Sequence, residues 1–227
     1  GMRTMNSIVI RKLVAKELYL NRWIIVVTAV AAVLAAGTRA FGATAFNMGA
    51  LAWMTAVIAC GVMLAIYGVA QERKDQSLQF VLSLPVSIRG YVFAKVAGLL
   101  LSYLVPWLVA TAAAIAMVLL SAGVPDGLLP YIVVLCGFLL ANFSVVLCAA
   151  LHARSEAVMI ATIILTNMAV SIFTFIVGAL PGIRDHLSGP VPVWNATIFN
   201  VLLVELLVLA IAIALPLATA ARRRDFI

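Results

Sequence analysis

The sequence predicts an all-α integral membrane protein with six transmembrane helices, and three observations carry that prediction. Of 227 residues, 66% are apolar and only 10% charged, where a soluble domain has about half and about a quarter. Uncharged runs cover Trp23–Thr38, Ala40–Gln71, Val96–Pro125, Gly127–Leu151, Ala157–Ile183 and Leu187–Val204. A span needs about 20 mainly apolar residues, so all but the first and last runs suffice alone. Finally, thirteen of the fifteen Lys and Arg residues fall in segments that one orientation of these spans puts on a single side.

The first element is an N-terminal helix over 8–22. Ile10, Leu13, Val14, Leu18 and Leu20 share one arc, and Arg11, Lys12, Lys16 and Arg22 share the other. Such a helix lies in the interface plane before the chain turns into the bilayer. Glu17 falls inside the apolar arc, where it either pairs with a basic residue of the second connection or snorkels to water.

The first span is placed at about 23–40, passing Arg39, whose long stem can reach the headgroups. The second follows at 48–70. A polar interruption, 71–95, then separates it from the third at 96–121. Ser121–Gly127 is a turn by its Gly and Pro content, and the fourth span takes 128–151. A short turn with His152, Arg154 and Glu156 leads to the fifth at 157–180, and this His152 is expected to be simply solvated. The connection Pro181–Asn195, rich in Pro and Gly, has room for a short helix and offers Trp194 as an interfacial anchor. The last span, 197–221, runs past Glu205 to the arginine triplet Arg222, Arg223 and Arg224. The whole chain reads as one transmembrane domain, 1–227. No cleavable signal peptide is expected, because the first apolar run follows a charged helix and lacks an Ala-x-Ala site.

Positive charge orients the bundle. The N-terminal segment, the second and fourth connections and the tail carry thirteen cations, whereas the other face has only Arg39 and Arg184. The positive-inside bias puts both termini in the cytoplasm. Topology thus accounts for the net charge of +7, and no nucleic-acid partner is needed; the triplet suits anionic lipid. Cys60, Cys136 and Cys148 lie within spans without metal-ligand spacing and read as packing residues. His186 has no companion ligands, and no nucleophile–base or metal constellation appears at depth.

Within 71–95, Asp75 or Ser77 can cap a short helix that Pro85 limits. Leu78, Val81 and Leu82 form one apolar set, Phe80 and Leu84 a second, and Gln79 and Ser83 a narrow polar stripe. A cytoplasmic helix apolar on most of its circumference has two faces to bury, one on the bundle and one on a partner. Inside the membrane, Glu205 sits about two turns into the last span, where an ionised carboxylate is costly unless paired or wetted. It is read either as a contact for a cationic or polar part of a substrate, or as a protonated or hydrogen-bonded structural residue. Asn142 and Asn167 are expected to bond between helices, with the substrate pathway as their functional reading. Pro106 and Pro216 are expected to kink their helices.

These residues carry a resemblance. Lys16-Glu17-Leu18 in the N-terminal helix, then Glu72-Arg73, Asp75-Gln76-Ser77-Leu78, Leu82-Ser83-Leu84-Pro85-Val86-Ser87 and Lys95, resemble the permease subunit of type-2 ATP-binding-cassette (ABC) exporters over essentially the whole chain. That family usually has Gly-Thr-Leu-Glu where Gln76-Ser77-Leu78-Gln79 stands here. The resemblance implies a half-transporter that pairs with a second copy or paralogue and carries two copies of a cytoplasmic ABC ATPase. It makes 71–95 the coupling segment, with Glu72, Asp75 and Lys95 as polar contacts or braces and Leu78, Phe80 and Leu82 filling a groove on the ATPase. The chain has no Gly-x-x-x-x-Gly-Lys-Ser/Thr loop, so ATP and Mg are expected on the partner, with no cofactor or enzymatic activity here. Minimal outer loops suit an amphipathic or hydrophobic cargo: peptide, drug, lipid or glycan. The alternative is a proton-coupled secondary transporter using Glu205, although no partnering intramembrane base or inverted repeat is apparent.

Overall fold

A computed structural model describes residues 2–71, 88–121, 123–153 and 155–220. Eight α-helices account for most of them, and no strand occurs among the described residues. They are α1 (Met2–Leu20), α2 (Arg22–Gly37), α3 (Ala43–Ala65), α4 (Ile88–Leu120), α5 (Leu128–His152), α6 (Glu156–Ala179), the single turn α7 (Pro181–Arg184) and α8 (Ala196–Thr219). Six of these, α2 to α6 and α8, are long and apolar enough to cross a bilayer. The chain is an all-α, multi-pass membrane protein.

Local sequence explains the boundaries. A 3₁₀ turn, Thr38–Phe41, prolongs α2, and Gly42 (φ 105°) then reverses the chain, so α3 begins five residues before the expected second span. A π-helical stretch, Ile66–Gln71, continues α3. Ser155 caps α6 by accepting from the Val158 amide at 3.4 Å, and Asn195 caps α8 by accepting from Ile198 at 3.1 Å; each N-cap satisfies a donor the first turn leaves orphaned.

The largest departure from expectation is α4. It starts at Ile88, eight residues ahead of the expected third span, and takes in Lys95 from the polar interruption. At 1.5 Å per residue its 33 residues extend about 50 Å, well beyond a hydrocarbon core of about 30 Å. The excess is enough for its first two turns to stand clear of the core, and α1 packs along α4.

The core sits where α3, α4 and α5 meet, around Val57, Leu64, Leu99, Tyr103, Leu139 and Phe143. Tyr103 stacks on Phe143 with ring centroids 4.0 Å apart. Aromatic donors tie the helices by their backbones. Trp53 donates to the Ala110 carbonyl at 3.0 Å, Trp107 to Cys136 at 2.9 Å and Tyr103 to Leu139 at 3.2 Å. In a medium without water such donors must find carbonyls, and the short helix separations this requires are set by Gly, Ala and Cys. Helix α5 is the central post, packing on α3, α4, α6 and most extensively on α8. By contrast, α6 presents Ile164, Leu165, Met168, Ile172 and Phe175 outward.

The two ends of the bundle differ in charge. The end formed by α1 and the start of α4 is charge-rich. The opposite, charge-poor end holds Arg39, the turn before α5, α7 and the loop after it, closed by a hydrogen bond from the Gly127 amide to the Gly189 carbonyl.

Candidate functional site

At the charge-rich end the apolar arc of α1 carries a buried polar contact to α4. Glu17 and Lys95 are both buried, and the lysine Nζ donates to Oε1 of the carboxylate at 2.8 Å. Of the two readings left open for Glu17, the structure chooses pairing with the second connection, and Lys95 is the partner. The pair is seated by Gly98, one turn further along α4. A Cβ at Gly98 would come within 2.7 Å of Glu17 Cγ and 2.8 Å of its Cβ, so only a glycine lets α1 approach this closely. Ser102, fully buried, turns its hydroxyl back to the Gly98 carbonyl at 2.8 Å and leaves the seat clean. At the end of α1, Asn21 donates to the Glu17 carbonyl at 2.9 Å, which carries the helix into α2 with little break. Lys16 lies half-buried beside the pair, while Arg11 and Lys12 are exposed.

Breaking a buried ion pair by removing one partner costs about 3–5 kcal/mol, whereas replacing both by apolar groups is often neutral. The pair therefore fixes register more than it adds stability. It selects one rotational setting of α1 on α4, so that movement of either helix is shared by the other.

The other residues expected in a coupling segment, Glu72, Asp75, Leu78, Phe80, Leu82 and Pro85, lie outside the described residues. The segment that holds them joins the π-helical end of α3 to the first turn of α4, so its distal end leads directly into the stretch that α1 braces.

Two polar features lie within the membrane. Asn142 on α5 and Asn167 on α6 line one small void, with Tyr103, Phe143, Leu139 and Gly61 among its walls. Its volume of about 10 Å³ is at the threshold for a single water, and no hydrogen bond joins the two amides directly. Glu205 is elsewhere. Its side chain is 94% buried, since only 6% of the residue is exposed, and neither carboxylate oxygen has a hydrogen-bond partner. The carboxylate lies against Gly137 of α5, where a Cβ would overlap its Oε2. Three residues that sequence reasoning grouped as a pathway thus form two separate sites, and Glu205 is closed off in this conformation.

His152 departs from its expected solvation. Its Nε2 lies 2.9 Å from Thr219 Oγ1 and its Nδ1 2.8 Å from the Cys148 carbonyl, so it ties the charge-rich ends of α5 and α8. The ring is held because α8 runs parallel beside α5, so that their C-terminal ends meet, a juxtaposition that no local pattern announces. Sequence reasoning also missed Gly98 and Gly137; their only signal is a glycine in the interior of an apolar span, which marks close helix approach. Among the described residues no three His, Cys, Asp or Glu groups converge as metal ligands.

A family model described as ABC-2 family transporter protein matches residues 12–221. No curated protein matches the chain.

Proposed function

The chain belongs to the ABC-2 family of transporter proteins, a membrane component that works with an ABC ATPase, and from that premise we propose that it is the permease half of an ATP-driven exporter. Two permease chains, identical or paralogous, enclose the pathway and carry two ATPase subunits on their charge-rich, cytoplasmic end in a bacterial-type inner membrane. The ATPases hold ATP and Mg; this chain supplies the pathway.

The observation that carries the reading is the Glu17–Lys95 anchor. It clamps the N-terminal helix to the part of α4 that projects beyond the bilayer core, immediately after the segment 71–87. A groove on the ATPase receives Leu78, Phe80 and Leu82, with Glu72 and Asp75 as flanking polar contacts and Pro85 ending the helix. When ATP draws the ATPases together, the segment tilts, α4 moves with it, and α1 follows because the pair and the Gly98 seat hold it. Access to the pathway then changes ends. Glu205 meets cargo only after α8 lifts from Gly137, so its carboxylate serves a cationic or polar group of an otherwise apolar molecule during one phase of the cycle.

Affinity purification of the tagged chain from its native membrane tests this. An ABC ATPase is expected to copurify, and Leu78→Glu with Leu82→Glu is expected to abolish both its association and its membrane-bound ATPase activity. Transport by the purified chain with no ATPase present would overturn the reading. One observation favours a second reading, in which Glu205 relays a proton: the carboxylate is buried with both oxygens unpartnered. Under that reading Glu205→Gln stops transport driven by a pH gradient in vesicles without ATP. Under the exporter reading the same variant lowers cargo transport while basal ATP hydrolysis continues.

A further inference from the structure

At the charge-poor end, α2 and α4 diverge over their last turns and leave a cleft of about 470 Å³, walled by Ala36, Ala113, Ala116, Met117 and Leu120 and reached by Arg39. The space exists because alanines face one another where larger residues would close it. It falls within the range of about 300–1,000 Å³ typical of small-molecule sites. Val33 and Leu120 on its rim are exposed, Leu120 by 84%, so the cleft opens towards the bilayer that surrounds the bundle.

Arg39 is the only charged residue in the lining. It is half-buried, it makes no ion pair among the described residues, and its guanidinium stands 6.0 Å from the Phe46 ring, near the outer limit for a cation–π contact. It also overhangs Gly123, where a Cβ would lie 3.3 Å from Nη2. Of the other charged groups at this end, Arg184 pairs with Asp185 at 3.3 Å. A guanidinium fixed at headgroup depth, above an apolar slot, presents a fork of donors that matches two phosphate oxygens.

We propose that this cleft binds one acidic phospholipid, its phosphate on Arg39 and one acyl chain between α2 and α4. The occupant follows from the lining. A guanidinium and the Ser121 hydroxyl answer a glycerophosphate, and the walls below offer only methyl and methylene groups, with nothing to read a more elaborate cargo. Preference for an acidic over a zwitterionic headgroup follows from the uncompensated charge. Which leaflet supplies the lipid rests on the cytoplasmic placement of the charge-rich end; occupancy does not.

The test uses the complex as purified from membranes, exchanged into nanodiscs of phosphatidylcholine with and without phosphatidylglycerol, then partially delipidated and weighed by native mass spectrometry. The parent is expected to retain phosphatidylglycerol selectively, and Arg39→Gln to reduce that retention about fivefold, the change expected for one basic residue at an anionic surface. Arg39→Lys should restore part of it, and Ala116→Phe, which fills the slot without touching the charge, should abolish it. Gel filtration and ATPase association unchanged in both variants exclude misfolding as the cause. Equal retention by parent, Arg39→Gln and Ala116→Phe overturns the proposal, as does equal retention of the two lipids. A retained species that is not a phospholipid also overturns it and makes the cleft part of the cargo route. Competition by soluble glycerol phosphate alone would reduce the site to a headgroup pocket and remove the acyl chain from it.

Discussion

The Glu17 carboxylate and the Lys95 ammonium are the residues whose removal has the clearest cost. Each is nearly dry, so removing either one strips a buried charge of its ion-pair contact at 2.8 Å. Glu17→Ala or Lys95→Ala is expected to lower the unfolding free energy of the purified complex by about 3–5 kcal/mol. The double replacement Glu17→Leu with Lys95→Met should recover most of it, because two apolar side chains remove both desolvation penalties. Thermal unfolding of the four proteins in one detergent measures the coupling, and additive losses would show that the contact is not a pair. A second residue-scale prediction concerns the contact of Glu205 with Gly137. Gly137→Ala forces the carboxylate to move and is expected to destabilise by about 1–3 kcal/mol, in the range of overpacked cores. The same change in a Glu205→Ala background should cost markedly less, since the clashing atoms are gone. Equal costs in the two backgrounds would mean that another neighbour of Gly137 sets the fit.

Among the elements, α1 is the one whose attachment depends on a single small residue. Gly98→Leu inserts a branched side chain where Glu17 and the α1 backbone now lie, with Val14 Cα only 3.6 Å from a Cβ at that position. The expected outcome is that α1 detaches while the six spans persist. Protease susceptibility near residues 16–22 should rise, and ATPase association should fall even though 71–87 is untouched. Persistent ATPase coupling with a demonstrably released α1 would show that α1 is an anchor to lipid and not a strut. The spans themselves were legible in the sequence because the bilayer imposes length and apolarity on each helix independently of its neighbours. Contacts between helices were not. Glu17 stood out as a charge in an apolar arc, yet nothing local distinguishes Lys95 from Arg73, Lys74 or Arg89 as its partner, which lies 78 residues away. The early start of α4 has the same origin: Lys95 ends an apolar run on paper, but once neutralised by Glu17 it no longer ends a helix. The Arg39 cleft was invisible for a related reason, since a concavity made by alanines on two helices has no signature in either one.

For the molecule as a whole, orientation decides every functional statement, and it rests on a charge asymmetry that labelling can check directly. The thirteen cations that the order of the spans assigns to one side and the two it assigns to the other give a bias in short loops of the kind that sets topology. Cys60 and Cys136 are buried and Cys148 is partly so, so a background with Cys148→Ala should react little with a membrane-impermeant maleimide. In that background Asp126→Cys, in the turn before α5, is expected to label in intact spheroplasts, and Lys12→Cys, on the exposed side of α1, only after permeabilisation. The reverse pattern would put the Glu17–Lys95 anchor outside the cell, away from any nucleotide, and the ATP-driven reading would fall with it. The expected pattern carries a mechanical consequence. The charge-rich end would then be the one where α4 and α1 project beyond the bilayer core, and the charge-poor end the one closed by short connections and the Gly127–Gly189 bond. Force would enter through α4 and its strut α1, and pass by the Trp107 and Tyr103 hydrogen bonds to the backbone of α5. From α5 it would reach α8 at Gly137, the contact that conceals Glu205. Locking α8 to α5 by a disulfide between Gly137→Cys and Glu205→Cys should therefore stop transport while ATP still binds, and reduction should restore whatever activity the unlocked double variant possesses.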